Sequence, residues 1–261
     1  MNALIVCVDF SDMLEITLQK NRHHFDRVVV VTTFTDEKTI VTALNNNAEV
    51  YRTNAFYDDG AVFNKYKAVE EGLDFMGRYG QICLLDVDIV LPKDFLFTKD
   101  DTFKDYLYTP HRYIFDEPHQ TSLNPKDEGY LNERLISLLE DEELWKELPL
   151  FGEREFAGYC QVFHADCRFL PKGKSWHETN WKHAGGADSF FQCLWPDQFK
   201  VRPPFYVLHL GPPGRNWCGR VIPYLDGTLP ENSDESHNTL QRFFQGRQGK
   251  QGLQKFDHEK L

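Results

Sequence analysis

Ile82-Cys83-Leu84-Leu85-Asp86-Val87-Asp88-Ile89-Val90-Leu91-Pro92 is the stretch on which the fold turns. Its apolar run reads as a buried strand. Asp86 and Asp88 stand one residue apart near its end, and Pro92 closes the segment. Leaving carboxylates bare in an interior costs on the order of several kcal/mol each. Two of them at the end of a core strand therefore ask for a cation. Oxygen donors of this kind suit a hard divalent ion, Mg2+ or Mn2+. The competing reading is that both residues only cap the turn that follows, a common use of Asp.

Upstream, the pattern alternates. Residues 4–8 read as a strand ending at Asp9, and Ser11 or Asp12 opens a helix to about His24. A four-valine strand over 28–31 runs into Thr32. Asp36 begins a second helix, 49–51 is a short strand, and 63–75 a third helix. Strand and helix alternating in this way predict βαβ units and a parallel sheet. Such sheets bind ligands at the carboxyl ends of their strands, where Asp9, Thr32 and Asp86 fall.

Downstream, the order loosens. Residues 93–128 are polar and interrupted by Pro110, Pro118 and Pro125. Leu131, Leu135, Leu138 and Leu139 stripe an amphipathic helix over 130–146. Residues 156–164 and 205–210 read as strands, and a Gly185-Gly186 turn opens a helix carrying Asp188. No internal repeat is present. The expected organisation is one domain over 1–230, with a nucleotide-binding half at 1–92 and an acceptor half at 93–230. A polar and basic tail follows at 231–261.

Composition narrows the class. The chain of 261 residues is 41% hydrophobic with 21 Phe, enough for a substantial core. No apolar run approaches a membrane span, and Met1-Asn2-Ala3-Leu4-Ile5-Val6 enters a strand without a charged leader. These features predict a cytoplasmic protein with no membrane partner. The six Cys are scattered without a CxxC pair, so buried free thiols are expected. The net charge of −11 argues against nucleic acid. Two basic runs, at 168–182 and 242–260, nevertheless offer surfaces to phosphate.

Three further features carry chemistry. His209 precedes the Gly/Pro turn Gly211-Pro212-Pro213-Gly214-Arg215-Asn216-Trp217. It is either a satisfied core residue or a neutral imidazole ligand, and the amides at Gly211 and Gly214 with Arg215 suit a phosphate. Asp188 is either a helix cap or a carboxylate placed to take a proton from a hydroxyl, with the glycine pair allowing a ligand close to the backbone. Lys65, in Phe63-Asn64-Lys65-Tyr66-Lys67-Ala68, is either a solvated cation or a diphosphate contact at a helix start.

In this order the motifs resemble nucleotide-sugar glycosyltransferases of the GT-A fold. Asp86 and Asp88 match that group's metal-binding Asp-x-Asp. Asn64-Lys65-Tyr66-Lys67-Ala68 is similar to its Asn-Lys-Gly-x-Ala segment, with Tyr66 in place of Gly. The stretch His209 to Trp217 resembles its His-x-Gly…Trp segment, with Arg215 where a Lys is common. The resemblance covers about residues 3–220.

It implies an α/β Rossmann-like open, mostly parallel sheet with helices on both faces and a smaller mixed acceptor part. It also implies a donor diphosphate on Mn2+ or Mg2+ held by Asp86, Asp88 and His209. Asp9 and Thr32 would line the base pocket, and Asp188 would be the base of an inverting transfer from a UDP-sugar. The texture of residues 12–18 and 25–33 also resembles compact phage and bacterial members related to base J-associated DNA glucosyltransferases. That points to 5-hydroxymethylpyrimidine in double-stranded DNA as acceptor, with Trp176, Trp181 or Phe243 beside a flipped base. A glycan, small-molecule or protein hydroxyl is the alternative acceptor. A nucleotidyltransferase or a non-catalytic nucleotide-binding module is the alternative of another class.

Overall fold

The computed structural model describes residues 1–95, 103–116, 132–151, 158–212 and 214–230. The first ninety residues form the alternation expected: β1 (Asn2–Val6), α1 (Ser11–Asn21), β2 (Arg27–Thr32), α2 (Glu37–Asn45), β3 (Glu49–Arg52), α3 (Lys65–Met76) and β4 (Gln81–Asp86). The strands β3, β2, β1 and β4 are neighbours and parallel. Side chains alternate across a strand. Ala3 and Ile5 therefore pack towards α1 with Met13 and Leu14, while Leu4 packs towards α3 with Val69 and Leu73. The helices thus cover both faces of the sheet.

The stretch 82–92 departs from a single strand. β4 ends at Asp86, residues 87 and 88 turn, and β5 (Ile89–Val90) belongs to a second sheet. Side chains of α1 hold this crossing. Thr17 Oγ1 donates to the Val87 carbonyl at 2.9 Å, and Asn21 bonds both the Ile89 carbonyl at 2.7 Å and the Leu91 N–H at 2.9 Å. Asn21 and Thr17 are buried, so the crossing is fixed from beneath.

The later elements are β6 (Leu107–Tyr108), β7 (His111–Phe115), α4 (Glu133–Glu140), β8 (Leu150–Phe151), β9 (Cys160–His164), α5 (Ala187–Gln192), β10 (Lys200–Val201) and β11 (Tyr206–Leu210). β9 joins the edge of β4 antiparallel, completing a seven-stranded order β10-β6-β9-β4-β1-β2-β3. The second sheet, β5-β11-β7-β8, is mixed. Val207, Leu208 and Leu210 of β11 share one core with α1 and β1.

The helix expected over 130–146 is instead broken. α4 stops at Glu140 because Asp141 is extended, and its carboxylate accepts the Glu143 N–H at 3.0 Å to start a separate 3-10 turn. Residues 130 and 131 lie outside the described part, as do 156 and 157 of the strand expected there and the whole tail 231–261. All six cysteines are free, and five are buried. Among the described residues no helix is long and apolar enough to cross a membrane.

Candidate functional site

The two sheets meet at the carboxyl end of β4, and a cavity of about 450 Å³ opens there. Val6, Val8 and Phe10 line it from the first sheet's side. Lys65, Tyr66, Asp86 and Asp88 line it from α3 and the crossing. Arg112, Phe151 and His209 contribute from the second sheet, Tyr159 from just before β9, Asp188 from α5, and Gly214 and Trp217 from the loop after β11. Val6 and Trp217, 211 positions apart in sequence, thus share one space.

Asp88 and His209 are brought together by pairing. β5 and β11 run antiparallel with Ile89 opposite His209, and the Leu210 N–H donates to the Asp88 carbonyl at 2.8 Å. His209 Nε2 lies 3.6 Å from Asp88 Oδ2. Its Nδ1 is 2.8 Å from the Gly211 carbonyl, which can only accept. The proton of a neutral ring therefore sits on Nδ1, and a lone pair on Nε2 faces the carboxylate. Burial lowers the His209 pKa against the opposing pull of Asp88, which keeps the ring neutral. Burial also raises the Asp88 pKa. Two acceptors face one another in a buried place, an arrangement that a cation relieves.

Asp86 is directed elsewhere. Its Oδ1 is ion-paired with Lys65 Nζ. Burial alone would lower the Lys65 pKa, but Asp86 outweighs it and leaves the ammonium firmly charged. The metal set expected from Asp86, Asp88 and His209 is thus present only as a pair plus a carboxylate held by a lysine. Among the described residues no group of three or more His, Cys, Asp and Glu side chains is assembled around a metal position. The pair still fits a divalent ion of the kind that takes one or two protein ligands and fills its remaining positions with substrate phosphates and water.

Asp188 reaches the cavity from the second position of α5. Its Oδ2 accepts the Gly158 N–H at 2.7 Å, and a Cβ at Gly158 would lie 2.5 Å from the Asp188 Cβ. Gly158 is therefore a steric requirement of this carboxylate. The Gly185-Gly186 pair lines the cavity and also makes room for packing: a Cβ at Gly185 would meet the Trp217 ring at 2.6 Å. Gly186 supplies the left-handed turn into α5 with φ of 99°.

The remaining expected residues are distributed differently. The Gly211 N–H donates to the Phe115 carbonyl at 2.7 Å, so it orients His209 and offers no amide to a phosphate. Gly214 lines the cavity, whereas Arg215 is exposed and does not. Thr32 is fully buried with its hydroxyl 3.3 Å from Asp36 Oδ2, and does not line the cavity. Asp9 is exposed, and its carboxylate accepts from the Tyr224 hydroxyl. Its neighbours Val8 and Phe10 form the wall instead. Asn64 caps α3 through the Lys67 N–H at 3.0 Å and holds the Thr179 carbonyl at 2.7 Å.

The loop 168–182 is anchored at Trp176 and His177. Buried Glu70 accepts N–H bonds from Trp176 and His177 and pairs with His177 Nδ1 at 2.7 Å and Arg78 at 2.8 Å. Trp176 is buried with Arg78 stacked 4.6 Å over its ring. Arg168 pairs with Asp105 at 3.4 Å, leaving Lys172 and Lys174 exposed.

Arg112 and Tyr159 went unread in the sequence. Arg112 lies in a polar stretch with no periodic pattern, and only its pairing beside β11 brings it to the cavity. Above them, Arg220 straps the segment after the Gly/Pro turn onto α1. Its guanidinium forks onto Asp12 at 2.5 and 2.9 Å between the rings of Phe10 and Tyr224.

No protein-family model matches this chain, and no curated protein does either. Among solved structures, it is similar to glucosyl-3-phosphoglycerate synthase from Mycobacterium tuberculosis in complex with Mn2+, uridine diphosphate and glucosyl-3-phosphoglycerate. Identity is 11%, coverage 80% of this chain and 70% of that one, and the TM-score 0.43. It is also similar to mannosyl-3-phosphoglycerate synthase from Rubrobacter xylanophilus, at 12% identity over 97% of this chain and 76% of that one, with a TM-score of 0.44. The chemistry of the cavity rests on its own geometry.

Proposed function

We propose that this chain is a metal-dependent glycosyltransferase that moves a sugar from a nucleoside-diphosphate sugar, a UDP-sugar first among them, to a hydroxyl acceptor with inversion. The observation that carries the reading is the buried, neutral imidazole of His209 facing the Asp88 carboxylate at 3.6 Å, in a cavity shared with Asp86, Lys65 and Asp188. Asp88 and His209 would hold Mn2+ or Mg2+, which supplies Lewis-acid charge to diphosphate oxygens when bound. Lys65 adds fixed positive charge beside the leaving diphosphate. Val6, Val8 and Phe10 give the base an apolar wall. Asp188 takes the acceptor's hydroxyl proton as the acceptor oxygen bonds to the anomeric carbon, and the diphosphate leaves with the electrons of the broken bond.

No observation favours DNA as the acceptor. Trp176 is buried, Arg168 is paired, and the basic run 242–260 lies outside the described residues. A small-molecule, glycan or protein hydroxyl fits the acidic chain better. A nucleotidyltransferase is also disfavoured, because Asp9-Phe10-Ser11-Asp12 stands after β1 where a glycine-rich loop would cradle phosphates.

The test is a thermal-shift series with UDP, GDP and ADP, each with and without Mn2+. One diphosphate is expected to raise the melting temperature only with the metal, and Asp88→Ala to abolish that rise. If none of the three does so, the reading fails.

A further inference from the structure

Among the described residues, Arg112 is the one strongly buried Lys or Arg of the cavity wall without an ion pair. It is only 8% exposed, and its guanidinium stacks 4.1 Å over the Tyr159 ring and 5.2 Å from the Phe151 ring. Its Nε is buried, and among the described residues it has neither a hydrogen-bond partner at that atom nor an ion pair. Lys65 pairs with Asp86 and Arg220 with Asp12 across the same region. Burial lowers the Arg112 pKa. Asp86, Asp88 and Asp188 act on it only through space. A buried charge with no partner is costly, and Arg keeps its charge regardless. A planar guanidinium immobilised by stacking on an aromatic ring presents its remaining N–H groups as a fork suited to a carboxylate or phosphate.

The position indicates which substrate brings that anion. The donor's anchors are the crossing at Asp86 and Asp88 and the apolar wall from Val6 to Phe10. Arg112 stands beside these anchors, on β7 next to the strand of His209, and stacks on Tyr159, whose neighbour Gly158 seats Asp188, the residue that takes the acceptor's proton. We infer that Arg112 binds an anionic group, carboxylate or phosphate monoester, carried by the acceptor, so that this site selects acidic acceptors. The inference rests on the transfer reading given above.

The experiment titrates inorganic phosphate into the full chain, with the donor side first saturated by UDP and Mg2+. Calorimetry reads the affinity. Wild type is expected to bind phosphate under these conditions, and Arg112→Met to weaken it at least tenfold. The methionine variant also removes a buried unpaired charge, so its melting temperature without phosphate is expected to be no lower than wild type's. Arg112→Lys, which keeps the charge and loses the fork, is expected to bind phosphate between the two. Loss of phosphate binding on adding UDP would assign the guanidinium to the donor diphosphate and overturn the inference. Equal phosphate affinity in wild type and Arg112→Met would overturn it as well. Failure of UDP to bind at all would sink the transfer reading instead, and the comparison of wild type with Arg112→Met would still decide whether Arg112 holds an anion.

Discussion

A carboxylate becomes a base through what surrounds it. Asp188 is fixed by the Gly158 N–H at 2.7 Å and stands over a cavity whose other carboxylates are committed to Lys65 or to the His209 pair. Asp188→Asn keeps the shape and can still accept that N–H, but it cannot take a proton. The expected result is a fall in kcat for transfer of about 10²–10⁴-fold with a much smaller change in the donor KM, read in steady-state assays. A loss confined to KM would make Asp188 a binding residue only. Of the residues singled out in the sequence, Asp86, Asp88, His209 and Asp188 all line one cavity. Arg112 was not legible, because a lone Arg between His111 and Tyr113 makes no pattern until β7 lies beside β11. Thr32 and Gly211 misled for a related reason. Each sits at a strand end, but a neighbour in space, Asp36 or Phe115, takes the group offered to a ligand.

At the scale of elements, the placing of Asp88 depends on α1. Asn21 satisfies the Ile89 carbonyl and the Leu91 N–H together, so it does for the crossing what a further ladder bond would do for a strand. Asn21→Ala leaves both buried groups without this partner. A loss of about 3 kcal/mol is expected, seen as a lower urea midpoint at unchanged slope. The metal-dependent thermal shift with nucleotide is expected to shrink more than stability alone explains, since Asp88 lies directly before β5. Periodicity in the sequence showed α1 and β4 as elements. It did not show that the apolar run 82–91 changes sheets in the middle. Buried strands of either sheet read alike, and the hydrogen bonds that separate them come from a helix 68 to 70 residues earlier.

For the whole molecule, acid is the informative stress. Burial drives the His24 pKa down to about 4, helped by neighbouring His23, and burial lowers His177 and His209 as well. For a histidine whose folded pKa lies below its unfolded value near 6.5, the unfolded chain binds more protons in between. Its contribution to stability is therefore complete above pH 6.5 and is lost as the pH falls towards the folded pKa. Glu70 follows at lower pH: burial pushes its pKa up, but His177 and Arg78 outweigh this and hold it below the ordinary carboxylate value. His24 isolates the first effect. Its ring packs against Phe25 and Phe95, and its Nε2 has no hydrogen-bond partner among the described residues, so phenylalanine there forfeits no such bond at that atom. Between pH 6.5 and 4.5 the wild type is expected to lose stability steadily in urea titrations. His24→Phe is expected to lose less by about 1 kcal/mol, a figure reduced to allow for water at the ring's exposed edge. Parallel pH curves for the two proteins would show that this ring is protonated as easily in the folded chain as in the unfolded one, and would locate the acid sensitivity of the fold at Glu70 and its partners instead.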